Sequence, residues 1–232
     1  MKALASILSA LWIAGCAAQP ADDYPIRPQG IPPIAGGTSN GTGGRVCVIA
    51  DPRDLTTCSA DAAGGLNVTM NGTTTTTTAD GSFSISPAAG GVSLLGVTGP
   101  GMVPTHEVFT PGNLVPVLRA DVFSEMLAVN GATQRFGSGS ILGTMSSAGL
   151  PASGVTVTST PASAFGPFFA GSTPTTWTLD PSGGGSGVVW IPGLAVGPTQ
   201  LTFRDLATSG ETTVDGVQVM DGGITIVNAA LP

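Results

Sequence analysis

Leu66-Asn-Val-Thr-Met70 alternates apolar and polar residues, and Asn71-Gly72 follows as a turn. Thr73 to Thr78 is β-branched throughout, and Asp80-Gly81 turns the chain again into Phe83-Ser-Ile85. Period-two alternation broken by Asn-Gly and Asp-Gly is the signature of paired β-strands joined by tight turns. The threonine tract also admits a reading as a low-complexity linker, but its framing by two turn dipeptides favours a hairpin arm. The same grammar recurs along the chain. Residues 45–49, 92–97 and 114–118 read as further strands of a first β segment. A second segment is predicted from residues 139–143, 154–158, 176–179, 187–191, 199–203, 214–219 and 224–227. With 35 glycines and 19 prolines among 232 residues, long helices have little room to form. Short strands at turn-punctuated intervals predict sandwiches rather than a βαβ fold.

One interval departs from this pattern. Val122, Phe123, Met126 and Leu127 recur at helical spacing behind Asp121, a good N-cap residue, and Asn130-Gly131 is a helix stop. A single short amphipathic helix over 121–130 is predicted between the two β segments, packed on one of them.

The first residues carry an address. Lys2 supplies a positive charge, Ala3 to Ile13 form a short apolar run, and Ala14 and Gly15 are small residues ahead of Cys16. That layout is an export signal, too short for a stable membrane span. Ile13-Ala-Gly-Cys16 resembles the lipobox of bacterial lipoproteins. The resemblance implies diacylglycerol on the Cys16 sulfur, cleavage before Cys16, and a new N-terminus acylated with a palmitate-type chain. Ala17 stands where an inner-membrane retention signal would place Asp, so outer-membrane delivery is the expectation. An ordinary secretory signal cut near Ala18 is the alternative. From residue 17 to 44 the chain is a tether, with Pro20, Pro25, Pro28, Pro32 and Pro33 followed by Gly36-Gly37 and the glycines up to Gly44. Its proline half stiffens toward polyproline II and its glycine half is coil-like.

Charge narrows the partners. The chain has 7 basic and 14 acidic residues, and Lys2 is its single lysine. After signal cleavage, six arginines face 14 acids. An acidic, lysine-free surface has no means of neutralising several phosphates, which argues against nucleic acid and against docking by charge on anionic lipid. Membrane attachment then rests on the acyl chains. With Cys16 assigned to lipid, Cys47 and Cys58 remain as an even pair in an oxidising compartment, and a disulfide between them is predicted. A metal site would need further ligands, yet the chain has one histidine, His106, and no CxxC or HxxxH spacing.

The two β segments resemble diverged copies of the carboxypeptidase-regulatory-like module, the prealbumin-like sandwich that includes Cna-B-type surface domains. The first copy carries Gly44-Arg-Val46, Gly65-Leu-Asn-Val68, Thr77-Thr-Ala-Asp-Gly-Ser-Phe83 and Gly91-Val-Ser-Leu94. The second carries Gly139-Ser-Ile141, Pro151-Ala-Ser-Gly-Val-Thr-Val157, Thr178-Leu-Asp180 and Ile191-Pro-Gly-Leu194. The resemblance implies an all-β chain of two tandem immunoglobulin-like (prealbumin-like) β-sandwiches joined by one short helix, after a disordered N-terminal tether. The corresponding boundaries are 1–15 for the signal, 16–43 for the tether, 44–120 and 137–232 for the modules, and 121–136 for the linker helix. Two departures stand out: the cysteine insert in the first copy and a Pro/Gly/Phe excursion over 160–174 in the second. The Lys–Asn isopeptide crosslink of some Cna-B domains is ruled out by the absence of lysine beyond Lys2.

Catalytic chemistry finds little to work with. His106-Glu107 reads as a solvated strand edge rather than an acid–base pair, and no nucleophile elbow has the required spacing. Asp51, Asp54 and Asp61 share a loop but lack the alternating order of a calcium site, so a solvated acidic loop is the expectation. No catalytic residue, metal or cofactor is predicted. Phe165, Phe168, Phe169 and Trp177 are the candidate ligand-binding residues, able to stack on sugar rings or anchor a protein; the competing reading places them in the core or between modules. Trp190 is expected in the core. The functional expectation is a non-catalytic, lipid-anchored envelope protein for surface structure, adhesion or complex assembly. The alternative is a carbohydrate-binding lipoprotein using the 165–177 aromatic region, so the partners expected are the membrane and an envelope protein or glycan.

Overall fold

The computed structural model describes residues 43–61, 63–85, 93–183 and 185–232. The export signal, Cys16 and the tether up to residue 42 lie outside the described residues.

In the first half, β1 (Gly43–Val48) pairs antiparallel with β4 (Ser82–Ser84) and parallel with β7 (Leu114–Val117). Facing that small sheet, β2 (Asn67–Met70), β5 (Leu94–Thr98) and β6 (Thr105–Val108) pair antiparallel with one another in that order, and β3 (Thr73–Thr76) adds to the edge of β2. Asn71 and Gly72 take φ values of 50° and 80°. Both central residues of a two-residue type I′ hairpin need positive φ, which is why Asn-Gly stands there. Val46, Val48, Val115 and Val117 meet Val68, Met70, Leu95 and Val97 between the sheets. The threonine tract is therefore a strand, with Thr69 and Thr74 hydroxyls paired at 3.0 Å across the hairpin.

The second half repeats this wiring. Its first strand, β8 (Ser138–Ser147), pairs antiparallel with β13 (Val188–Ala195) and parallel with the last strand, β16 (Ile224–Leu231). Opposite lie β10 (Val155–Thr160), β14 (Gly197–Asp205) and β15 (Glu211–Val219), all antiparallel. Ile141, Val189 and Ile191 pack there against Val157, Leu201 and Phe203. A short β9 (Leu150–Pro151) folds back on β8, while β11 (Phe168–Ala170) and β12 (Trp177–Thr178) extend the sheet beyond β13. Close approach is demanding at one point: a Cβ on Gly139 would sit 2.2 Å from the Met220 carbonyl oxygen. The chain is all-β, two sandwiches of one topology with a single helix between them.

The halves are not beads. β6 and β16 pair in parallel, Ile224 opposite Thr105 and Ile226 opposite Glu107. This one seam fuses the large sheet of the first half to that of the second, in the order β12-β11-β13-β8-β16-β6-β5-β2-β3. β16 thus has a parallel neighbour on each side and is covered on both faces, which matches its nearly continuous apolar sequence. A third core fills the space between the halves. Cys47, Leu114 and Leu118 contribute from one side, Leu142, Trp190 and Ile224 from the other, with Phe123 and Met126 of α1 (Ala120–Val129) between.

Both departures from the module pattern build this interface. In the cysteine insert, Leu55 is buried in the shared core and Arg53 Nη1 donates to the Gly171 carbonyl at 2.9 Å. From the excursion side, Asn130 at the end of α1 donates Nδ2 to the Thr175 carbonyl at 2.8 Å and accepts the Trp177 N–H at 2.9 Å. The excursion also contains a strand that sequence patterning misses, β11.

Two local expectations are corrected. The helix begins one residue earlier than predicted, with Arg119 in the N-cap position and no side-chain cap. Asp121 lies inside the first turn, where its carboxylate accepts from the Arg119 guanidinium and favours the helix dipole. His106-Glu107 is not a solvated edge, because β6 lies inside the fused sheet between β5 and β16.

Cys47 and Cys58 form the predicted disulfide, closing a sequence separation of 11 residues. It ties the insert to β1, and with it the Leu55 and Arg53 contacts. Replacing both cysteines with alanine is expected to lower stability by about 3 kcal/mol on the loop-entropy argument. Urea titration should show a lower midpoint with far-ultraviolet ellipticity retained; an unchanged midpoint would mean the native contacts alone hold the insert.

Candidate functional site

Phe165, Phe168 and Trp177, singled out in the sequence, gather in one core with Trp190, while Phe169 packs into the core of the second sandwich. Trp190 is fully buried, with Phe168 stacked at 5.3 Å between ring centroids, and Trp177 and Phe123 edge-on at 5.9 and 6.2 Å. Trp190 stands in the core as expected. Phe168, Phe169 and Trp177 are buried too, and Phe165 is half-buried against the same cluster. The expectation of a sugar-stacking platform at 165–177 is therefore corrected. The rings of Phe165, Phe168 and Trp177 fill the space between the halves because a chain this poor in large side chains has few others to do so. Trp177 also uses its indole N–H internally, on the Pro174 carbonyl at 3.1 Å.

The three carboxylates of the cysteine insert point apart. Asp51 receives the Arg53 guanidinium at 2.6 Å, and that hydrogen bond holds its carboxyl below the usual range. Partial burial pushes the Asp54 carboxyl up, but hydrogen bonds from Thr56 and Thr57 outweigh it and hold the group low. Asp61 faces Arg119 at 3.4 Å. They do not converge on a common point. Among the described residues there is no cluster of three potential metal ligands.

What does form is a cavity of about 550 Å³ between the two halves, within the range of small-molecule pockets. Leu114 and Pro116 of β7 wall it on one side, and Met145, Val188 and Ile226 on the other. Polar side chains punctuate the apolar surface: Glu107, Thr144, Ser186 and Asn228 inside, Ser146, Thr212 and Thr213 from β8 and β15, and Arg53, Asp54 and Thr56 from the cysteine insert. Thr144 donates to Asn228 at 2.5 Å, so that pair is satisfied. Two atoms are not. Glu107 Oε2 and Ser186 Oγ are buried without a hydrogen-bond partner.

Glu107 is the unexpected member. It is only 6% exposed, and burial alone pushes its carboxyl up to about 8. Parity explains its position. Strand neighbours alternate faces, so seating Thr105 and Glu107 inward turns Val108 outward, where it is 52% exposed. His106 takes the opposite face from Glu107. Its ring lies against Gly96, its Nδ1 is unpartnered, and burial lowers its pKa. Sequence reasoning missed the site because a strand reading His-Glu-Val gives no sign that the acid is the inward residue.

These features define an all-β protein whose two sandwiches share a sheet and line a half-open, largely apolar cavity between them. No protein-family model and no curated protein matches the chain. Among solved structures, the shaft pilin SpaA of Lactobacillus rhamnosus GG aligns at 12% identity and a TM-score of 0.24, covering 82% of this chain and 96% of that one. The Bacillus anthracis TIE protein aligns at 9% identity and a TM-score of 0.23, covering 82% of this chain and 33% of that one. Scores this low carry no argument about function, and the fold assignment rests on the strand pairing itself. No helix among the described residues is long and apolar enough to cross a membrane.

Proposed function

We propose that this chain is a non-catalytic lipoprotein of the bacterial cell envelope, delivered to the outer membrane. Acyl chains on Cys16 anchor it, residues 16–43 act as a spacer, and the folded part is presented for surface structure, adhesion or complex assembly. In this reading residues 44–120 and 137–232 are the sandwich modules, with 121–136 as the helical linker. The observation that carries it is Ile13-Ala-Gly-Cys16 at the end of a short apolar run, ahead of a proline- and glycine-rich stretch. The fused sheet supports the reading, since a body whose halves share a core and a disulfide-braced insert suits mechanical presentation. Support for a non-catalytic role comes from His106, which has neither a nucleophile nor an acid hydrogen-bonded to it among the described residues.

Membrane fractionation with intact-mass measurement tests the anchor. Wild-type protein is expected in the membrane fraction with an acyl mass on its N-terminal peptide, and Cys16→Ser is expected to be released. A soluble wild-type protein cut near Ala18 would replace the lipoprotein by a secreted one.

A further inference from the structure

We propose that the cavity between the halves binds an aliphatic ammonium. Its hydrocarbon body would lie between Leu114, Met145, Val188 and Ile226, and its charged head against Glu107. Three observations carry this, none of them dependent on the lipid anchor. The cavity is large enough for a small ligand, and its walls are mostly apolar. A carboxyl more than nine-tenths buried lines it with Oε2 unpartnered. Ser186 Oγ, also buried and unpartnered, offers a second acceptor in the same lining. Buried polar groups without partners are uncommon in folded proteins and are often explained by a missing ligand or water.

The sign of the ligand follows from the charges that face Glu107. From the cysteine insert come Arg53 and Asp54; β7, β8, β15 and β16 contribute only neutral side chains to the lining. Arg53 is already committed to Asp51 and the Gly171 carbonyl. No unpaired cation in the lining therefore awaits an anionic ligand, and Asp54 is already held by Thr56 and Thr57, whereas Glu107 Oε2 is an unpartnered acceptor that favours a cation. The described residues contain no lysine, so none of them supplies the ammonium.

Glu107 binds its proton below about pH 8 in the free protein. An ammonium favours the carboxylate, so Glu107 releases that proton to solvent while the ligand keeps its own. Affinity is expected to rise about fifty-fold between pH 6 and pH 8 on this linkage.

Calorimetry on the full chain with n-octylammonium, n-octanol and n-octanoate tests the proposal. The ammonium is expected to bind at least tenfold more tightly than the alcohol, with n-octanoate weaker still. Heats at pH 7 should vary with buffer ionisation enthalpy as one proton is released. Glu107→Gln is expected to lose tenfold or more in ammonium affinity and all of the proton release. Equal binding of alcohol and ammonium, preference for n-octanoate, or no binding of any of the three would overturn the proposal. The wild-type ligand series decides the matter even where the variant folds poorly. A lysine side chain and a free alkylamine share this chemistry. Nα-acetyl-lysine amide binding as well as n-octylammonium assigns the site to a peptide partner; weaker binding assigns it to the free amine.

Discussion

Trp190→Ala is expected to destabilise the protein by about 3–5 kcal/mol, the range for truncating a fully buried large aromatic. Trp190 has no exposed surface and touches Phe123, Phe168 and Trp177, so its loss opens a cavity walled by other rings. These neighbours come from α1, β11 and β12, and rigid strands on either side limit how far the site can collapse. The effect should reach both halves, because the cluster around Trp190 includes Cys47, Leu55 and Leu114 of the first half. Urea unfolding followed separately by tryptophan fluorescence and far-ultraviolet ellipticity should give coincident transitions in the wild type. In the variant both should shift together. Two separated transitions in the wild type would show that the shared sheet does not couple the halves.

Glu107→Gln is expected to stabilise the ligand-free protein at neutral pH, by about 3 kcal/mol at pH 7, and to leave it unchanged near pH 4. Folding raises the carboxyl from 4.5 to about 8 through desolvation. Below pH 4.5 the acid is protonated in both states and costs nothing. Between pH 4.5 and 8 the unfolded chain ionises it while the folded protein keeps the proton, so wild-type stability falls as pH rises. Above pH 8 both states are ionised and the loss levels off, at about 5 kcal/mol for a shift of this size. Glutamine has the same shape and never ionises, so the difference between variant and wild type traces this curve. The check is a set of urea midpoints at pH 4, 6, 7 and 9, compared between the two proteins. A pH-independent difference would place Glu107 in contact with water. The proposed lipid anchor at Cys16, by contrast, should be insensitive to this substitution.

Much of the local structure is legible because it depends on neighbours in the chain. The Asn71-Gly72 hairpin, the threonine strand and the alternation of residues 66–70 all follow from backbone preference and side-chain parity. A sequence separation of 11 residues lets Cys47 and Cys58 bridge, and the even count in the compartment that the N-terminal signal predicts makes the bond expected. Helix α1 shows its apolar spacing plainly, but its first residue does not, since Asp121 satisfies the helix from within the first turn rather than as its cap. Phe168, Phe169 and Trp177 show where patterning fails. A Pro/Gly-rich segment with exposed-loop composition carries core residues, because the first half supplies the other wall for Phe168 and Trp177, and the second sandwich's facing sheet supplies it for Phe169.

What the sequence by itself determined is most of the short strands (β6, β9 and β11 are outside its predicted ranges), helix α1, the disulfide partners and the repetition of one sandwich type. These are consequences of turn chemistry and period-two hydrophobicity, which act over a few residues. Only the tertiary structure decided that β6 and β16, more than a hundred residues apart in the chain, would pair and fuse the two sheets. The same pairing decided that Glu107 would face inward. A strand's edges are equally ready for any partner, and its register is set by the surface it must cover. Once β16 lay between β8 and β6, the inner face of β6 followed, and a glutamate was carried with it into the cavity.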